Sequence, residues 1–150
     1  MLEAIESLGP AELMRTSFVL YPLLNLLHVL AIGALVTTAV LMDLRMLGLG
    51  RAVSAEAVVA GLRPIAVGAL AVAVLSGVLL FSVRAVDYAA NPAFRLKLLV
   101  LALALANALA FTSFRAHRRP GAAVTRAMAV LSIGLWLAVA AAGRFIGYLD

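Results

Sequence analysis

Apolar residues run along this chain in four long blocks, each closed by charged or turn-forming residues. The first, TSFVLYPLLNLLHVLAIGALVTTAVLM, covers Thr16–Met42: 27 residues without a charge, bounded by Arg15 and Asp43. At about 1.5 Å per helical residue it reaches roughly 40 Å, more than a bilayer core of about 30 Å. The pattern predicts four transmembrane helices, at about 17–42, 64–83, 95–114 and 125–148. Pro22 falls near the start of the first, where a missing N–H does little harm. Pro64 opens the second at a first-turn position, and Pro92 lies just before the third.

Ahead of the spans, Leu2, Ile5 and Leu8 share one helical face, with Glu3 and Glu6 off it. That predicts a short interfacial helix lying on the membrane, with Pro10 starting a second short segment. Small residues recur four apart at Ala102, Ala106 and Ala110, at Gly134, Ala138 and Ala142, and at Ala73 and Gly77. Such rows let helix backbones approach closely, so they predict a tight bundle with antiparallel neighbours. The expected fold is all-α: a four-transmembrane-helix bundle in one domain over 1–150, with a short N-terminal interfacial helix.

Composition agrees and narrows the function. The chain is 65% hydrophobic and 13% charged, with mean hydropathy +1.13; soluble domains carry about 25% charged residues. Cysteine is absent, which excludes disulfides, thiolate catalysis and Cys-based metal sites. The net charge of +5 comes from basic residues gathered near helix ends, which points to a membrane and not to nucleic acid. Acidic residues before the first apolar block, and the length of that block, speak against a cleavable signal peptide. Arg45, Arg51, Arg63, Arg115, Arg118, Arg119 and Arg126 fall on one side of the membrane, and Arg15, Arg84, Arg95, Lys97 and Arg144 on the other. The positive-inside rule then places both termini in the periplasm and the first and third connections in the cytoplasm.

Counting along each span puts His28, Ser76, Asn107 and Trp136 near one depth, as a polar layer across the bundle. Tyr21, Asn25 and His28 form one stripe of the first span, with Arg144 and Tyr148 at a similar level on the fourth. Arg84, Asp87 and Tyr88 cap the second. An ionisable residue inside a membrane needs a partner or a job. The layer reads either as an interhelical hydrogen-bond network or as a cofactor site. In the second reading Tyr21, Asn25, His28, Asn107 and Arg144 are the candidate cofactor-binding residues. His28 is then the candidate metal ligand, and haem b or a quinone the candidate cofactor.

Haem meets one objection: the second histidine, His117, lies in the RAHRR connection, where anionic lipid headgroups are the nearer partner. Met42, Met46 and Met128 read as apolar filling and not as a copper site. No Gly-rich phosphate loop, no nucleophile with a base and no paired membrane carboxylates occur, so no catalytic residue is assigned. Asp43, Glu56, Asp87 and Asp150 all read as helix-end or loop acids.

YPLLNLLHVLAIGALVTTAVLMDLRMLGL, SGVLLFSVRAVDYAANPAFRLKLLVLALALANAL and LWLAVAAAGRFIGYL together resemble a bacterial family of small four-helix membrane proteins of unknown function. The resemblance implies that His28, Asp43, Arg45, Asn91, Pro92, Phe94, Lys97, Asn107 and Arg144 belong to the family pattern. A carboxylate near Asn25 and a histidine near Thr112, expected in relatives, are missing here, which counts against a two-histidine haem. A fainter, fold-level likeness is to the copper-resistance D and cytochrome b561-like bundles. The expected function is that of a small bacterial inner-membrane protein acting as a non-catalytic subunit or partner in a larger respiratory or redox assembly. Its partners are the lipid bilayer and other membrane subunits or further copies of itself. The alternative is a haem- or quinone-binding redox protein working through His28.

Overall fold

The computed structural model describes residues 2–7 and 9–148. Two short helices come first, α1 (Leu2–Glu6) and α2 (Gly9–Thr16). Four long ones follow: α3 (Leu20–Leu47), α4 (Ala55–Val83), α6 (Pro92–Ser113) and α7 (Ala123–Phe145), with the short α5 (Ala85–Ala90) between α4 and α6. All four long helices are long and apolar enough to cross a membrane, and no strand occurs among the described residues. This is an all-α, multi-pass membrane protein. Its exposed leucines, valines and isoleucines, such as Leu30, Ile65, Leu75, Leu99 and Leu131, form the lipid-facing belt.

The buried residues follow a seam of threes and fours. On α4 it runs through Ala55, Val59, Ala66, Ala69, Ala73, Ser76 and Leu80. On α3 it takes Ala31, Leu35, Thr38, Ala39, Asp43 and Met46, and on α7 Thr125, Ala129, Ser132, Trp136, Val139 and Ala142. Most of these side chains are small, which suits membrane helices held by close backbone approach. The packing order is α4–α3–α7–α6. On α6 only Ala93 and Ala104 are buried among the described residues, and α4 and α6 lack extended packing against each other. The bundle is therefore split along one side, not tight all round.

Of the predicted small-residue rows, Ala73–Gly77 does face inward, and Ala142 is buried. Ala102, Ala106, Gly134 and Ala138 instead face outward. Alanine is so frequent here that spacing of four arises on every face.

Three of the predicted spans stop short of the helices. The first runs past Asp43 to Leu47 and ends where Gly48 takes a left-handed conformation, φ 104°, with the Leu49 N–H closing on the Leu44 carbonyl at 3.0 Å. The second does not open at Pro64. It starts after Ser54, whose hydroxyl caps the Ala57 N–H at 3.1 Å, and Pro64 lies within it. The third opens at Pro92, one turn before Arg95, because the Asn91 side chain accepts from the Ala93 and Phe94 N–H groups at 2.9 and 3.2 Å. The fourth covers Ala123–Phe145 and passes into a 3-10 turn, Ile146–Tyr148.

The N-terminal helices dock on the end of the bundle. Ala11 is fully buried, and the Glu6 carboxylate accepts from the Val86 N–H at 2.9 Å. Arg15 donates to the Glu6 carbonyl and reaches the Val83 carbonyl at 3.5 Å. The predicted face through Leu2, Ile5 and Leu8 depends on Leu8 and the Ile5 side chain, which lie outside the described residues. Below this cap, Phe81 of α4, Tyr88 of α5 and Phe94 of α6 form an aromatic cluster, with Phe81 and Phe94 stacked 5.3 Å apart. It bridges the split between α4 and α6 at the end of the bundle that carries the termini.

Candidate functional site

Polar side chains inside the bundle gather at two levels. The level nearer the termini is built on His28 of α3. Ser76 of α4 lies 2.9 Å from its Nδ1. The Ser76 hydroxyl is also 2.6 Å from the Val72 carbonyl. A hydroxyl has one proton, and the shorter contact takes it, so His28 Nδ1 must be the donor to Ser76. The Ala73 carbonyl also faces the ring, which agrees. This fixes the Nδ1–H tautomer and leaves Nε2 with its lone pair. Gly77 makes the approach possible: a Cβ there would lie 3.0 Å from His28 Cε1. Lys97 of α6 is the charged neighbour of the imidazole. Its ammonium packs on α7 at Gly143, where a Cβ would stand 3.4 Å from Nζ. All four long helices thus contribute at this level.

The predicted four-membered layer does not form. His28 and Ser76 pair, but Asn107 lies toward the other end of the bundle, donating to the Met128 carbonyl of α7 at 3.1 Å. Trp136 belongs with Asn107, not with His28, and both line the second level. Lys97 and Arg126, the charges nearest the predicted span ends, lie inside α6 and α7, so depths measured from them along the two helices do not match. The Tyr21–Asn25–His28 stripe also divides. Tyr21 and His28 are half-buried, and Tyr21 stands 3.5 Å from the Tyr88 hydroxyl, whereas Asn25 is exposed. Arg144 is exposed on the last turn of α7. The Tyr148 and His117 side chains lie outside the described residues.

A haem at His28 fits poorly. The imidazole is wedged with Cε1 against α4 at Gly77 and Nδ1 on Ser76, and its charged neighbour is the Lys97 ammonium, which would repel a cationic iron. Among the described residues no group of three histidine, cysteine, aspartate or glutamate side chains converges on a metal position.

The second level lies toward the α3–α4 and α6–α7 connections. There the split between α4 and α6 widens into a pocket of about 230 Å³, backed by α3 and α7. Leu35, Ala39, Leu70, Leu105 and Phe111 make its apolar walls, and Asp43, Arg63, Asn107, Thr112, Ser132 and Trp136 bring polar groups. Asp43 is 7% exposed, and its Oδ2 has no hydrogen-bond partner. The Ser132 hydroxyl faces the same carboxyl group. Arg63 donates to the Thr112 hydroxyl, bridging α4 and α6 across the split. Thr112 passes its own proton to the Ala108 carbonyl at 2.9 Å.

In the sequence Asp43 and Lys97 enter through the family pattern and Arg63 as a basic residue of a connection, none of them as a candidate site residue. Each sat at an assumed helix end and is in fact about a turn or more inside. Against known protein families, characterised proteins and solved structures, the chain has no match. Outside the bundle, Arg45, Arg51 and Arg126 surround a shallow hollow of about 240 Å³ at Gly48 and Gly121. Met46 is fully buried in the apolar cluster with Ala55, Val59 and Ala129, and Met42 packs against it.

Proposed function

We propose that this protein is a non-catalytic subunit or partner of a larger assembly in a bacterial inner membrane, with both termini periplasmic. It would belong to the family of small four-helix membrane proteins that its sequence resembles. The observation that supports this most is the dispersal of the candidate residues. His28 is engaged by Ser76, Asn107 by the α7 backbone, Asn25 and Arg144 are exposed, and the pocket that Asn107 lines takes in none of the others. The polar pairs act as interhelical ties, of the kind worth about 0.6 kcal/mol each in membrane bundles. The test is native electrophoresis of solubilised membranes carrying the tagged chain at its natural level. Migration with a defined, larger complex, whose members mass spectrometry then names, is the expected result. A lone small species under several mild detergents would refute the reading.

One observation favours a redox role instead: the Nδ1–H tautomer leaves His28 Nε2 open to a partner, with the Lys97 ammonium nearby as a donor. The hydroxyl of the reduced quinone, donating to Nε2 and accepting from the Lys97 ammonium, suits that pair. Co-purification of a lipid quinone with the wild-type chain, lost in His28→Ala, would replace the first reading with this one.

A further inference from the structure

We infer that the pocket between α4 and α6 binds an uncharged, lipid-soluble ring compound carrying both a hydroxyl donor and an oxygen acceptor, the class of phenols and hydroquinones. Buried polar atoms in folded proteins nearly always have partners. Asp43 Oδ2 has none, in a side chain more than nine-tenths buried on the pocket wall. A hydroxyl donor arriving in the pocket would supply what the chain does not.

Arg63 lines the same pocket with its guanidinium group. A cationic ligand drawn to Asp43 would meet the guanidinium, and an anionic one drawn to Arg63 would meet the carboxyl group. A neutral molecule with a donor at one end and an acceptor at the other suits both. Apart from Asn107, Thr112 and Ser132 the remaining wall is apolar, with Leu35, Leu70, Leu105 and the ring of Trp136. Size agrees: an apolar cavity of about 150 Å³ holds benzene, so about 230 Å³ takes a substituted ring. The route agrees too. Since α4 and α6 lack extended packing, the pocket opens sideways between lipid-facing helices, and the ligand arrives from the bilayer. None of this depends on which assembly the protein joins.

Trp136 is the chain's single tryptophan and lines the pocket, so it reports occupancy directly. The full chain in phosphatidylcholine vesicles is titrated anaerobically with durohydroquinone, with its dimethyl ether, which lacks the donor, and with benzylammonium. The expected result is a saturable change in Trp136 fluorescence with durohydroquinone and a much weaker one with the other two. Asp43→Asn should weaken binding by about tenfold, because the amide oxygen that remains accepts without the carboxylate's charge. Ala108→Phe, at the exposed lip of the pocket, should abolish it while leaving the packing seam intact, and it carries the test if Asp43→Asn does not fold. An equal response to the dimethyl ether would reduce the pocket to a lipid groove and overturn the inference. Tighter binding of benzylammonium, no saturation, or affinity unchanged in both variants would overturn it equally.

Discussion

At the scale of single residues, the proton on His28 makes an unsymmetrical demand. Ser76 already donates to the Val72 carbonyl, so losing the imidazole leaves only a lone pair unmet. Losing Ser76 leaves an N–H donor with the Ala73 carbonyl alone, the costlier fault. His28→Leu should therefore cost about 0.6 kcal/mol, as an average membrane hydrogen bond does, and His28→Asn or His28→Gln less. Ser76→Ala should cost more, about 1 kcal/mol, because the donor loses its hydroxyl partner and keeps only the Ala73 carbonyl. Thermal unfolding of the four variants in one detergent gives the order. Should His28→Leu be the worse of the two deletions, the proton sits on Nε2. Gly77→Ala belongs to the same test. Its Cβ would press on His28 Cε1 from 3.0 Å, so it should lower stability by about 1–3 kcal/mol, the usual range for overpacking. The gain in helix propensity, about 1 kcal/mol, does not make that up.

At the scale of elements, α4 carries a built-in defect. Pro64 has no N–H, and the Ala60 carbonyl one turn earlier has no helical donor. Pro64→Ala should restore that bond and raise stability by up to about 3 kcal/mol. A drop in the unfolding temperature would mean that the surrounding helices are shaped to the proline. The proline also explains what the sequence hid. Four long apolar blocks were legible, and with them the all-α fold and the number of crossings, because hydropathy alone decides those. Helix ends were not. Asp43, Pro64 and Arg95 looked like stops, since a charge or a proline usually ends a span. Gly48, Ser54 and Asn91 were the true stops and starts, through backbone conformation and side-chain caps. Misplacing the ends put Asp43 and Arg63 outside the membrane and Lys97 at its edge. The charged half of both polar levels was thereby lost from view, while His28 and Asn107, which carry no charge to mislead, were picked out.

At the scale of the whole molecule, Arg45, Arg51, Arg115, Arg118, Arg119 and Arg126 lie in or within a turn of the two connections on one side, against Arg15, Arg84, Arg95 and Arg144 near the other, which motivates the proposed orientation. Cysteines placed at Ala52 and Ala122, both exposed in those connections, should resist an impermeant thiol reagent in intact cells. One at Ala90, exposed at the end of α5, should react. The opposite labelling would invert the protein in the membrane.

The packing order α4–α3–α7–α6 has a consequence for how the chain is held together. It makes the protein two helical hairpins, α3 with α4 and α6 with α7, clasped along the α3–α7 seam. Across the open side the covalent link is α5, a single short helix. A break in the peptide backbone at Ala90 should then leave most of the clasp in place. Two separately translated halves, each inserting as its own hairpin, should find one another in the bilayer and co-purify. Replacing Ala129, which is fully buried on α7, with a bulky leucine should part them. The unbroken chain with the same substitution would stay joined through α5, so the split form turns a packing fault into a visible loss of partnership.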